Sequence, residues 1–482
     1  MDLPGAYARQ HSPTVFQPRT IIEQSRVIVV NPLPLPAITE SHCGVLLLGA
    51  LLLAGCTKEA SPPVNVLLVV VDTLRQDHLG AYGYRAHPAT PQLDRFARED
   101  AVTLDGMIGV SSWTMPSMAT LFTGQFPAEH GVMRMMGEHS KLSEPRTLAA
   151  RFGAGGWETG AVQSNFLLQQ RRMSGFNRGF QYWDDSPAEQ PDPHRGSSAA
   201  DVANRGLKWL SERDGEHPWF MYLHFFDPHA SYEDHAATSF TDPEYRGWVE
   251  GGLANDILRQ QGPLASSADR AQLAAFYDEE VAAVDAAFGQ IIAALKERSD
   301  WENTLVVFTS DHGEELGERG YIGHTRTLHF EQTDLPLLVR LPAGVNAGTK
   351  ASHLCSQVDL AGTILELAGL PRTDLSSIAA VLTGDRVEDG IIQLGDPAAT
   401  RIQSEVDFVP VRSEHAEKRV RKRALVSVEG RYIVDLESGE ESLYYYGDDA
   451  SELRDRSDDE EFSAMLQDFR GEMKKVRWWS GE

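Results

Sequence analysis

From Asn65 to about Gly369, short runs of β-branched and aromatic residues alternate with longer stretches in which apolar side chains return every three or four positions. The first pattern predicts buried strands and the second amphipathic helices. Strands are expected at 65–71, 101–108, 158–164, 219–226, 304–310 and 336–341. Helices are expected at 91–100, 116–123, 144–153, 200–213, 267–297 and 358–368. Such alternation builds a sheet covered by helices on both faces. In the longest helix Leu273, Phe276, Val284, Phe288 and Ile291 keep helical spacing and read as core. The acidic residues among them read as its solvated face.

Two stretches, 184–198 and 227–267, carry no such period. Loops of that length in a compact domain read as lids over a site. After about Pro371 the alternation stops. Short runs at 389–394, 424–428, 431–435 and 442–446, then a charged helix from Glu460 to about Val476, predict a small antiparallel sheet with a C-terminal helix. The expected division is a large domain over 64–370 and a smaller α+β one over 371–482. The basic cluster Lys418, Arg419, Arg421, Lys422 and Arg423 reads as a solvated loop.

Two of the apolar runs end alike. Val64–Val71 stops at Asp72, and Leu305–Ser310 stops at Asp311-His312-Gly313. Open α/β sheets bind ligands at the carboxyl ends of their strands. Carboxylates and an imidazole delivered there predict one shared metal site, and with it an enzyme. A net charge of −26 over 482 residues excludes nucleic acid as partner, because its phosphates need Lys and Arg.

The stretch Gly44–Gly55 holds about a dozen apolar residues, short of the ~20 that a spanning helix needs. It fits the apolar core of a signal peptide. It ends in Leu53-Ala54-Gly55-Cys56, which resembles the lipobox of bacterial lipoproteins. The resemblance implies that residues 1–55 are removed, that Cys56 is lipidated, and that 56–63 tether the chain to a membrane in the periplasm or at the cell surface. The nearest upstream basic residue is Arg26, so residues 1–42 read as the product of a misassigned start codon. Cys355 is then the one remaining thiol, a small buried hydrophobe.

A third element is Ser111-Ser112-Trp113-Thr114-Met115-Pro116-Ser117-Met118, followed by Thr123-Gly124. Pro116 suits the first turn of a helix, which puts Thr114 at a helix N-terminus, where free N–H groups favour an anion. With Asp72-Thr73-Leu74-Arg75, Phe226-Asp227-Pro228-His229, Ser310-Asp311-His312-Gly313-Glu314, Gly323-His324 and Leu443-Tyr444-Tyr445, the chain resembles the sulfatase family of the alkaline phosphatase superfamily. That resemblance implies an α/β/α sandwich with a mostly parallel central sheet and a small C-terminal antiparallel subdomain. It also implies a nucleophile at Thr114, substrate contacts from His229 and His324, and scaffold roles for His130 and Asn165. Arg75 is a candidate substrate contact.

Two departures matter. Sulfatases oxidise a Cys or Ser at the nucleophile position to formylglycine, whereas oxidation of Thr114 would give a ketone. Their Arg after the Ser is here Met118. The quartet Asp72, Thr114, Asp311 and His312 is instead similar to the single-metal site of lipid phosphotransferases in the superfamily, where an unmodified Thr attacks phosphorus. One imidazole among oxygen ligands favours Zn²⁺ or Mn²⁺, with Ca²⁺ admissible. The expectation is an ester hydrolase or phosphotransferase acting on phosphate or sulfate esters, phosphate favoured, with a small-molecule, glycan or lipid ester as substrate. The alternatives are a sulfuric ester hydrolase working without formylglycine, and an inactive lipoprotein that binds an anionic ligand.

Overall fold

The computed structural model describes residues 63–480 apart from 190–198, 214, 236–237, 385–386, 389–390, 393–399 and 410–418. The expected leader, Cys56 and all but the last tether residue lie outside the described residues, as does most of the expected lid at 184–198.

Strand β1 (Asn65–Val71) is buried at every position. Val66, Leu68 and Val70 enter one apolar core while Leu67, Val69 and Val71 enter another. A strand apolar on both faces has to be covered twice. It lies within a ten-stranded sheet with β2 (Val102–Ile108), β3 (Glu158–Gln163), β4 (Tyr182–Asp184), β5 (Trp219–Phe225) and β6 (Thr304–Ser310). Past a two-stranded ribbon, β7 (Glu315–Leu316) and β8 (Ile322–Gly323), the sheet continues with β9 (Asp334–Arg340), β10 (Lys350–Ser356), β11 (Val387–Glu388) and β12 (Ile391–Ile392). The order is β11-β12-β10-β2-β9-β6-β1-β5-β3-β4, parallel except where β9 and β11 pair with their neighbours.

One face is covered by α1 (Pro91–Glu99), a helix at Ala199–Ser211 and the long helix Ser267–Lys296. The other carries α2 (Thr114–Thr123), Leu148–Ala154 and Asp359–Leu367. The α/β sandwich expected from the apolar periods is present. Strand β10 was not expected, because Lys350-Ala351-Ser352-His353 interleaves polar residues like a loop.

The acidic residues of Ser267–Lys296 are not a solvated face. Asp278, Glu279, Glu280 and Asp285 are buried. Glu279 accepts the N–H groups of Phe240 at 2.7 Å and Thr241 at 3.2 Å, and Glu280 accepts that of Glu233 at 2.7 Å. The expected lid at 227–267 is strapped to this helix and contains a helix of its own, Asn255–Gln261.

The C-terminal residues form a four-stranded antiparallel sheet, β13 (Ile402–Phe408), β14 (Val420–Val426), β15 (Gly430–Asp435) and β16 (Glu441–Tyr445), followed by a helix at Ser463–Met473. Of the basic cluster expected to be a loop, Lys418 lies outside the described residues, and Arg419, Arg421, Lys422 and Arg423 lie on and beside β14. Arg419 pairs with Asp407 at 2.7 Å, Lys422 with Asp435 at 3.4 Å. Strand β13 reaches the loop after β2, where Glu405 N–H donates to the Val110 carbonyl at 2.8 Å. Residues Pro63–Glu482 form one compact unit.

Candidate active site

Strands β6, β1, β5 and β3 are neighbours in the sheet, and all four end at one edge. Just past their last residues, or within them, stand Asp311 and His312 (β6), Asp72 (β1), His224 (β5) and Asn165 (β3). Helix α2 begins at the same edge. It starts at Thr114 itself, two residues before the proline that predicted it, so the Thr114 hydroxyl sits in the first helical turn. The residues singled out as Asp72, Thr114, Asp311 and His312 are thus brought together.

The Thr114 hydroxyl lies 3.4 Å from His312 Nε2 and 3.5 Å from Asn165 Nδ2. His312 Nδ1 is 2.9 Å from the Gly313 carbonyl, which turns Nε2 inward, 3.7 Å from Asp72 Oδ1 and 3.5 Å from Asp311 Oδ2. His224 Nε2 is 3.4 Å from Asp72 Oδ2. Asn165 Nδ2 also donates to Asp72 Oδ2. Thr73 takes a left-handed turn (φ 53) that aims its N–H at Asp311 Oδ1, 3.3 Å away. A β-branched residue resists that conformation, so the packing around it enforces the turn.

Three atoms of this cluster, Asp72 Oδ1, Asp311 Oδ2 and His224 Nε2, are buried with no hydrogen-bond partner. Burial pushes the Asp72 carboxyl up to about 7, against the pull of His312. Asp311 rises to about 6, by burial and by the Asp72 charge. Burial drives His224 down to about 4, so it is a neutral imidazole at pH 7. Two carboxylates and a neutral imidazole whose ligand atoms lie within 4.8 Å of one another are a donor set for a divalent cation. The cation would supply the charge that these orphaned atoms lack.

His229 and His324 both reach the site. Their rings lie 5.0 Å apart, and His324 is 4.6 Å from the His312 ring. His324 Nδ1 contacts Glu314 Oε1 at 2.8 Å, and the other oxygen of Glu314 accepts the Tyr232 hydroxyl at 2.7 Å. Glu314 therefore fixes the His324 ring and ties it to the strapped loop. Arg75 does not fit its expected role. Its guanidinium is buried and spent on Asp77 at 2.8 Å, on Glu318 and on the Glu314 carbonyl at 3.2 Å. Asn165, expected as scaffold, stands between Asp72 and Thr114. His130 does act as scaffold, bonded to Thr120 Oγ1 at 3.1 Å and to the Val132 N–H at 3.0 Å. His224 carried a signal in the sequence, an imidazole closing an apolar strand next to β1, but nothing in its spacing announced it.

The family model described as Sulfatase matches residues 64–370. An N-acetylglucosamine-6-O-sulfatase of Bacteroides thetaiotaomicron is 24% identical over 422 residues, covering 69% of this chain and 74% of that protein. The multifunctional alkaline phosphatase superfamily protein PehA of Trinickia caryophylli is 25% identical over 385 residues, covering 63% of this chain and 74% of that protein. Among solved structures, the phosphonate monoester hydrolase of Agrobacterium radiobacter superposes with a TM-score of 0.64 at 22% identity, covering 86% of this chain and 95% of that one. Its likeness is one of fold.

Proposed function

The chain belongs to the sulfatase family and is an ester hydrolase; from that premise we propose that Thr114 is its nucleophile, that it needs a divalent cation, and that phosphate esters are favoured over sulfate esters. The observation behind this is the Thr114 hydroxyl, held between His312 Nε2 and Asn165 Nδ2 beside two buried carboxylates. An unmodified alcohol suits attack on phosphorus. Formylglycine chemistry needs an aldehyde, and the Thr114 methyl makes that impossible.

Asp72, Asp311, His224 and His312 would hold the cation, which when bound lowers the pKa of a nearby hydroxyl and polarises a phosphoryl oxygen. Thr114 Oγ, its proton released to solvent, forms a bond to phosphorus as the bond to the ester alcohol breaks. Asn165 orients the hydroxyl, and the first-turn N–H groups of α2 stabilise negative charge at Oγ. His324, oriented by Glu314, donates a proton to the departing alcohol, with His229 beside it. Water then cleaves the phospho-threonine and frees inorganic phosphate and Thr114. We also propose a lipid anchor at Cys56 in the periplasm or at the cell surface; Cys56→Ala should move the protein from the membrane to the soluble fraction.

The test is intact-mass spectrometry after separate incubation with an aryl phosphate and with the matching aryl sulfate, because the two adducts have nearly the same mass and only the ester supplied tells them apart. A phosphoryl adduct on Thr114, absent from Thr114→Ala, is the expected result. A sulfuryl adduct, or turnover by Thr114→Ala as fast as the wild type, overturns the proposal.

A further inference from the structure

Val71 and Ser310 pair in register, so Asp72 and Asp311 leave the sheet side by side from β1 and β6. The turn that follows Asp72 ties them together. Thr73 takes φ 53, and its N–H meets Asp311 Oδ1 at 3.3 Å. A β-branched residue is crowded in that left-handed region, and left to itself it returns to negative φ. No glycine stands between Val71 and Leu79 to relieve the crowding. Something outside the turn has to hold it.

The holding group comes from helix Ser267–Lys296. The Tyr277 hydroxyl donates to the Thr73 carbonyl at 2.9 Å and accepts the Arg75 N–H at 2.8 Å. One hydroxyl can do both, because it carries a proton and lone pairs. It thereby bridges the two peptide groups that flank Leu74. Tyr277 is fully buried, with its ring edge-on to Tyr232 at 5.8 Å and to His78 at 4.9 Å. That packing fixes where the hydroxyl sits. Burial also lifts the phenol well above its ordinary value of 10, so it stays a donor.

Resting on the reading that Asp72 and Asp311 hold a divalent cation, we infer that Tyr277 is a positioning residue for that site. Its hydroxyl keeps Thr73 in the left-handed turn, and the turn keeps the two carboxylates at the spacing one cation needs. Tyr277→Phe removes the hydroxyl and keeps the ring. Thr73 then turns to negative φ, its N–H leaves Asp311, and the two carboxylates lose their common geometry. Glycine takes positive φ at no steric cost, so Thr73→Gly frees the turn from its need for the hydroxyl.

The test is Mn²⁺ binding, read from the electron paramagnetic resonance of the free ion, in the wild type, Tyr277→Phe, Thr73→Gly and the double variant. Tyr277→Phe is expected to weaken binding roughly 10–100-fold when Thr73 is present, the size of effect that passes through the neighbours of a metal ligand. In the Thr73→Gly background most of that loss should disappear. Each background is its own reference, so any loss from the Thr73 side chain itself cancels. The same loss in both backgrounds, or a Tyr277→Phe affinity equal to the wild type, overturns the inference. Where Tyr277→Phe alone fails to fold by far-UV circular dichroism, a double variant that folds and binds Mn²⁺ as Thr73→Gly does is the same rescue, and one that fails to fold overturns it. Failure of the cation reading shows separately, as wild-type protein that binds no Mn²⁺ or binds it as tightly after Asp311→Ala, and it takes this inference with it.

Discussion

Glu314 touches no reacting atom, yet its two oxygens hold His324 on one side and the Tyr232 hydroxyl on the other. A carboxylate on Nδ1 leaves Nε2 as the nitrogen that can face the substrate. Glu314→Gln keeps the shape and removes the charge that steadies a protonated ring. Its effect should follow the leaving group. Hydrolysis of an alkyl phosphate, whose alcohol must be protonated as it departs, should lose roughly 10²-fold in kcat. A 4-nitrophenyl phosphate, whose phenolate leaves unaided, should lose under about fivefold. Steady-state kinetics on the two esters check this, and equal losses would make Glu314 a structural residue only. The residue scale is also where sequence reading was uneven. Asp72, Asp311 and His312 were legible because each ends an apolar run abruptly. Arg75 misled, since a cation beside a metal strand looks the same whether it meets substrate or, as here, Asp77 and Glu318.

Helix α1 is capped by a side chain from far along the chain. Thr90, the residue before α1, makes no side-chain cap. The Asp285 carboxylate of helix Ser267–Lys296 does so instead, accepting the N–H groups of Gln92 at 3.0 Å and Leu93 at 2.7 Å. Burial nonetheless pushes Asp285 up to about 7 from an ordinary value of 3.8. A folded-state value raised above the unfolded one gives stability that is complete below about pH 4 and is lost as pH rises through about 7. Asp285→Asn keeps an acceptor and drops the charge. It should therefore gain stability over the wild type as pH rises from 5 to 8, by up to about 2.7 kcal/mol, the two pH units between 5 and about 7 at 1.36 kcal/mol each. Asp285→Ala should lose about 1 kcal/mol of capping even at pH 5. Urea unfolding at both pH values checks the pair. This is the level at which the sequence hid most. Apolar periods revealed the helix, but an Asp that faces solvent and one that caps a distant helix read alike. Strand β10 was missed for a related reason. Its register on β2 is set by backbone pairing, and Lys350-Ala351-Ser352-His353 has no apolar run to announce it.

The loop that leads to Thr114 belongs to both sheets of the molecule. It leaves the large sheet at Ile108, and four residues before Thr114 the Val110 carbonyl receives the N–H of Glu405 from the C-terminal sheet at 2.8 Å. What presses the two sheets together includes one buried cation. Arg431 on β15 is fully buried, 2.7 Å from Glu452, and bonds to the Leu328 carbonyl and to Asp334 at 2.5 Å each. Leu328 and Asp334 lie on the approach to β9 and at its start, beside the large sheet. Arg431→Met strands the Glu452 carboxylate without its cation, so it should cost about 3–5 kcal/mol. The Arg431 charge also holds Glu452 down, to about 2 from 4.5. A depressed value gives stability that is present above about pH 4.5 and lost as pH falls through about 2, close to 3 kcal/mol in all. Acid unfolding of the wild type should therefore carry a slope in that window, and Arg431→Met should flatten it. Because β13 grips the loop that leads to Thr114, the same variant should lose ester turnover on warming before its far-UV signal changes. Coincident loss of activity and secondary structure would mean that the C-terminal sheet supports the fold without setting the nucleophile.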